Sequence, residues 1–185
     1  MVYKFLLLSD EAELFSREIV IDADNTFFDL HEAILKSVKY DKSQMTSFFI
    51  CNDDWEKEQE ITLVEMDTSS EYDNLVMDKT ILSDYVSEEG QKLLYVFDYM
   101  ADRAFFIRLQ EITPGKNLAK ATCIKSEGNP PVQILSEEDF NAILKTENFN
   151  TDFYGDEDFD IDELDDESFS DLDTSEGGDF EDPKY

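Results

Sequence analysis

The first apolar run of the chain is VYKFLLL at residues 2–8, which predicts a strand. In FSREIVID, residues 15–22, the pattern alternates. Arg17, Ile19 and Ile21 fall on one face, and Ser16, Glu18 and Val20 on the other. The polar stretch SDEAEL between the two runs can turn, so an antiparallel pair is expected. The period then changes. Phe27, Leu30, Ile34 and Val38 recur at helical spacing, which predicts a helix over about 26–38. Asn25 or Thr26 can cap it, Asp29 follows Thr26 by three residues as in a capping box, and Lys36 and Lys39 lie where cations suit the helix dipole.

Further along, MTSFFICNDDW (45–55) reads as a strand entering an acidic loop, and ITLVEM (61–66) as a short strand. Residues 67–79 are polar and predict a long excursion, and TILSDYV (80–86) predicts a turn or two of helix. KLLYVFDY (92–99) and RAFFIRLQEI (103–112) form a buried hairpin, and ATCIKS (121–126) an edge strand. GNPP (128–131) enforces a turn or an extended segment. SEEDFNAIL (136–144) has Ser136 and Asp139 at capping positions, with Phe140, Ile143 and Leu144 on one helical face. The expected class is α+β: a mainly antiparallel sheet packed on one principal helix over residues 1–146, followed by residues 147–185.

Charge changes the picture at that boundary. The 185 residues hold 46 acids and 15 bases, a net charge of −31. Residues 150–185 carry 16 acids against Lys184 alone, and the first 149 residues carry 30 acids against 14 bases. Such a C-terminal stretch cannot bury enough apolar surface to fold alone and is expected to be a largely disordered acidic tail. Phe159, Leu164, Phe169 and Leu172 are interleaved among its acids, a pattern of segments that fold onto a partner. A surface of this charge repels phosphate backbones and anionic lipid and favours a basic protein partner. The tail window DEDFDIDELDDE places Ile161 where a calcium loop needs glycine, so no specific metal site is expected there. No apolar run reaches the length of a signal core or a membrane span, and a cytoplasmic location is expected. Cys51 and Cys123 lack metal or redox spacing and read as reduced thiols. No phosphate loop and only six glycines argue against a bound nucleotide or other cofactor.

The charges that interrupt the hairpin are the candidates for chemistry. Asp98 and Asp102 could form an acid–base pair, or hold a recruited metal in a hydrolase, if burial split their pKa values. No histidine or nucleophile lies beside them in sequence. The alternative is a tight connection in which Asp accepts backbone N–H bonds and Arg103 pairs with one acid. His31, the sole histidine, sits beside the helix's apolar stripe, where it packs or contacts a partner. The function expected from these residues is a non-enzymatic interaction module for a basic protein, with a metal-assisted hydrolase or an acidic mimic of DNA as alternatives.

Three stretches taken together carry a family likeness: LHEAI (30–34), LLYVFDYMADRAFFIRL (93–109), and the later set Cys123, Gly128, Pro130 and Pro131. Their order and spacing resemble the Ri-plasmid "open reading frame three"-like family over about residues 2–135, and in particular its branch with a Phe-rich acidic tail. The resemblance implies an α+β domain. It marks His31, Asp98, Asp102 and Arg103 as motif positions. Some members carry a resolvase-type label as passengers of insertion elements, but no serine-recombinase motif stands in this chain. The family's aromatic–Asp–Phe–Gly–Asp turn is altered here: Phe97 and Asp98 match its start, Tyr99-Met100 replaces Phe–Gly, and Asp102 falls one residue late. The Trp and His that follow that turn are absent, the early Trp–Arg pair is reduced to Arg17, and Val132 and Gln133 replace an acidic-glycine run.

Overall fold

The computed structural model describes residues 1–65 and 75–136. Among them runs an eight-stranded sheet with two short helices. The strands are β1 (Val2–Leu8), β2 (Ser16–Asp22), β3 (Ser47–Cys51), β4 (Lys57–Thr62), β5 (Leu75–Val76), β6 (Lys92–Asp98), β7 (Arg103–Thr113) and β8 (Thr122–Glu127). Their order across the sheet is β5-β4-β3-β6-β7-β1-β2-β8. Every pairing is antiparallel except that of β4 with the two-residue β5. The architecture is therefore α+β and sheet-dominated.

Alternation of side chains decides what each strand buries. In β1, Tyr3, Phe5 and Leu7 point into the core, and in β2 Arg17, Ile19 and Ile21 do. The middle of β6, Leu93 to Phe97, is buried on both faces, as suits a central strand with a continuous apolar run. Helix α1 (Phe27–Val38) buries Phe27, Leu30, His31, Ile34, Leu35 and Val38, of which Phe27, Leu30, Ile34 and Val38 join the main apolar cluster. Phe27 meets Phe48 edge-on at 5.3 Å, and Phe48 meets Tyr95 at 4.9 Å. Each such buried ring contributes roughly 2–3 kcal/mol. The start of α1 is held by Thr26, whose hydroxyl accepts the Asp29 N–H at 3.2 Å while the Asp29 carboxylate accepts the Thr26 N–H at 3.0 Å. Its end is Lys39, in the left-handed conformation with φ 60°. The opposite face of the sheet carries a smaller cluster, Cys51, Leu94, Val96 and Ala104, shielded by Phe49, Trp55 and Phe106.

Two details depart from the sequence pattern. The strand expected at 61–66 is Lys57–Thr62, so its register lies four residues earlier. Only Ile61 in it is buried, which leaves no apolar period to read; β3's open flank selects the segment. Within the polar stretch 67–79, Leu75–Val76 adds an edge strand. TILSDYV contains the short helix α2 (Leu82–Tyr85). The helix expected at 136–144 and the tail lie outside the described residues, apart from Ser136.

Candidate functional site

The β6–β7 hairpin brings Asp98 and Arg103 into register across a bulge. The Asp98 carboxylate closes the turn. One oxygen accepts the Met100 and Ala101 N–H groups at 3.1 and 3.3 Å, and the other accepts Arg103 Nη1 at 3.3 Å. Arg103 reaches beyond the hairpin. Its Nε and Nη2 grip both oxygens of Glu11 at 2.9 and 2.7 Å, Nη2 also donates to the Val132 carbonyl at 2.7 Å, and Nη1 to that of Gln133 at 3.5 Å. The guanidinium lies 5.0 Å from the Phe97 ring centre. Burial alone would lower its pKa, but Glu11 and Asp98 outweigh burial and hold it above the ordinary arginine value. Asp102 turns elsewhere. It sits at φ 47° and accepts Lys57 Nζ at 2.7 Å on the exposed side. The two carboxylates thus serve different partners and do not converge on a common point.

His31 is 3% exposed, with Nδ1 2.8 Å from the Tyr95 hydroxyl and 3.3 Å from that of Thr46. Burial, aided by Lys42 and opposed by Glu32, lowers its pKa to about 4, so the imidazole is neutral at pH 7. Nearby, the Glu60 carboxylate accepts the Ser47 hydroxyl at 2.7 Å and the Tyr99 hydroxyl at 2.9 Å, and Ser47 and Tyr99 touch each other. Burial and Glu60 push the Tyr99 phenol up to about 12.

Beside the hairpin opens a groove of about 430 Å³. Phe97 and Asp98 line it together with Tyr99 and Met100 of the turn, Met45 from the approach to β3, and Ile134 and Leu135 from the segment after the double proline. That segment is fastened to the core. Tyr40 donates to the Pro131 carbonyl at 2.6 Å, and the Gln133 amide exchanges two hydrogen bonds with the Asp41 backbone at 2.7 and 2.8 Å. Arg103 adds its bonds to Val132 and Gln133.

The family model described as plasmid pRiA4b ORF-3-like protein matches residues 3–170. The chain belongs to that family. A protein of unknown function from Methanosarcina mazei Go1, solved by crystallography, is similar at 23% identity, with 68% of each chain covered and a TM-score of 0.47. No curated protein matches the chain.

In this member of the plasmid pRiA4b ORF-3-like family, the motif residues fall into two separate places. Asp98 and Arg103 share the groove-side clamp, with Asp102 on the outer side of the turn, and His31 lies in the core against Tyr95. Phe159, Leu164, Phe169 and Leu172 lie outside the described residues. No group of three or more His, Cys, Asp or Glu side chains suited to a metal occurs among the described residues, and no described helix is long and apolar enough to cross a membrane. Cys51 and Cys123 are free thiols.

Sequence reasoning missed Glu11 and Met45 and met Gln133 only as a departure from the family pattern, because the partners of each lie far away in the chain. It noticed Arg17 and Gly128 without their link. Arg17 is buried and donates to the carbonyls of Ser16 at 2.8 Å, Ser37 at 3.3 Å and Gly128 at 3.1 Å, and also to that of Glu127. Gly128 sits at φ 62°, and a Cβ there would lie 2.4 Å from the Leu14 carbonyl oxygen. An arginine aimed inward with the alternation of β2, and a glycine just after a strand, were the signals available.

Proposed function

We propose that the protein is a non-enzymatic interaction module that binds a basic protein partner through its acidic surface. The observation that carries this reading is where the charges stand. The net charge is −31, whereas the ionisable groups that could have formed a reactive centre are occupied structurally. Asp98 closes a turn and pairs with Arg103, Asp102 pairs with Lys57, and His31 is neutral and bonded to Tyr95. A strongly anionic surface accelerates encounter with cationic proteins and repels anionic ones.

The test is affinity capture with the full chain from native lysate across a ladder of salt concentrations, followed by identification of the proteins retained. Basic proteins that leave as salt rises support the reading; recovery dominated by acidic or salt-insensitive partners sinks it. Repeating the capture without residues 150–185 shows how much of the binding the tail supplies.

A further inference from the structure

The groove beside the hairpin holds apolar side chains in water by construction. Met100 is 83% exposed and Ile134 is 64% exposed. Met45 and Tyr99 are also exposed. None of this follows from slack in the chain. The Pro131–Gln133 segment that presents Ile134 is tied down by Tyr40, Asp41 and Arg103, and the turn that presents Met100 is tied down by the Asp98 carboxylate. Aliphatic and thioether groups fixed at a concave surface, over the buried Phe97 ring, suit an apolar side chain arriving from outside. Methionines adapt to guests of differing shape, as at surfaces that accept several partners.

The charges around the groove specify what should flank that side chain. Three cations of the surrounding elements are already paired: Lys42 with Glu32, Lys57 with Asp102, and Arg103 with Glu11 and Asp98. Two carboxylates are not. Asp41, whose backbone bonds Gln133 of the groove wall, and Glu60, which accepts the Tyr99 hydroxyl, form no ion pair with the described residues. A visitor bearing ammonium or guanidinium groups next to an apolar anchor meets both features at once.

Resting on the acidic-surface reading above, we infer that this groove is the specificity pocket of the interaction: it takes a single large aliphatic or aromatic side chain of a partner peptide, and Lys or Arg residues flank that anchor. Acidic surface alone gives general attraction, and the groove adds selection for the apolar anchor.

Two synthetic peptides of equal charge separate the pocket from the general field, one built from Lys and Leu and the other with Ser in place of Leu. Binding to the full chain is read by fluorescence anisotropy at moderate salt. The Lys/Leu peptide is expected to bind about tenfold more tightly, the gain from burying one large apolar side chain. The double variant Met100→Ser, Ile134→Ser alters exposed positions and leaves the charge unchanged; its unfolding transition checks that it folds. It should bind both peptides with the affinity that wild type shows for the Lys/Ser peptide. If wild type binds the two peptides equally, the groove has no such role and the acidic-surface reading stands. Persistence of the Leu preference in the double variant places the anchor elsewhere and overturns the groove assignment. If neither peptide binds, both readings fall.

Discussion

Replacing Arg103 with Met removes one guanidinium and orphans acceptors on three segments of the chain. The side chain is 5% exposed and spans Glu11 in the β1–β2 connection, Asp98 in the hairpin, and the carbonyls of Val132 and Gln133. Breaking a buried ion pair by deleting one partner costs about 3–5 kcal/mol, because the other charge is left without compensation. Glu11 is about a third exposed and recovers much of its hydration, whereas Asp98 is 15% exposed and recovers less. The lower end of that range, about 3 kcal/mol, is therefore expected. Arg103→Lys keeps the charge but loses the planar fork that bonds both Glu11 oxygens, so an intermediate loss of about 1–2 kcal/mol is expected. Urea unfolding of the full chain, followed by the fluorescence of Trp55, the sole tryptophan, measures both. A loss below about 1 kcal/mol for Arg103→Met, or a Lys variant as stable as wild type, would refute the clamp.

Two further predictions concern positions read only in part from the sequence. Gly128→Ala should cost about 2–4 kcal/mol, since it adds left-handed strain to a Cβ placed 2.4 Å from a backbone oxygen and disturbs the Arg17 contacts; Gly115→Ala, at φ 70° with nothing within 4 Å, should cost only about 1–2 kcal/mol, and equal losses in thermal unfolding would count against steric crowding at Gly128. His31 has a folded pKa of about 4 against an ordinary value of 6.5, so the unfolded chain binds the proton more readily between those values. Its contribution to stability is complete above about pH 6.5 and is lost as pH falls toward 4, amounting to roughly 3 kcal/mol. The ring proton resonances of this sole histidine should titrate with a midpoint about pH 4, and a midpoint near 6.5 would place the imidazole in water.

Much of the sheet was legible because it obeys a simple period. Val2–Leu8 is an apolar run, the Phe27–Val38 stripe repeats every three or four residues, and the run from Leu93 to Phe97 announces a strand buried on both faces. Strand β4 was misplaced because KEQE has no apolar rhythm, and only the unpaired flank of β3 gives it a reason to extend. At the hairpin, Asp–backbone bonding and an arginine–acid pair could be expected from local spacing. That Arg103 chooses Glu11, 92 residues away, as its bidentate partner could not, since a pairing at that separation depends on β1 and β7 lying side by side. The same holds for His31 and Tyr95, which no local pattern connects. The groove was invisible for a related reason. Met45, Met100 and Ile134 come from three separate stretches, and no local pattern brings them together.

The position of β1 between β2 and β7 sets a timetable for the nascent chain. Emerging from the ribosome, Val2–Leu8 can fold back on Ser16–Asp22 at once, but its other flank stays unsatisfied until Arg103–Thr113 has been synthesised. For that interval the growing polypeptide displays an open edge of unpaired backbone N–H and C=O groups along β1. Completion of the late hairpin, which also captures β3, is then the event that joins the two halves of the sheet and ends the exposure.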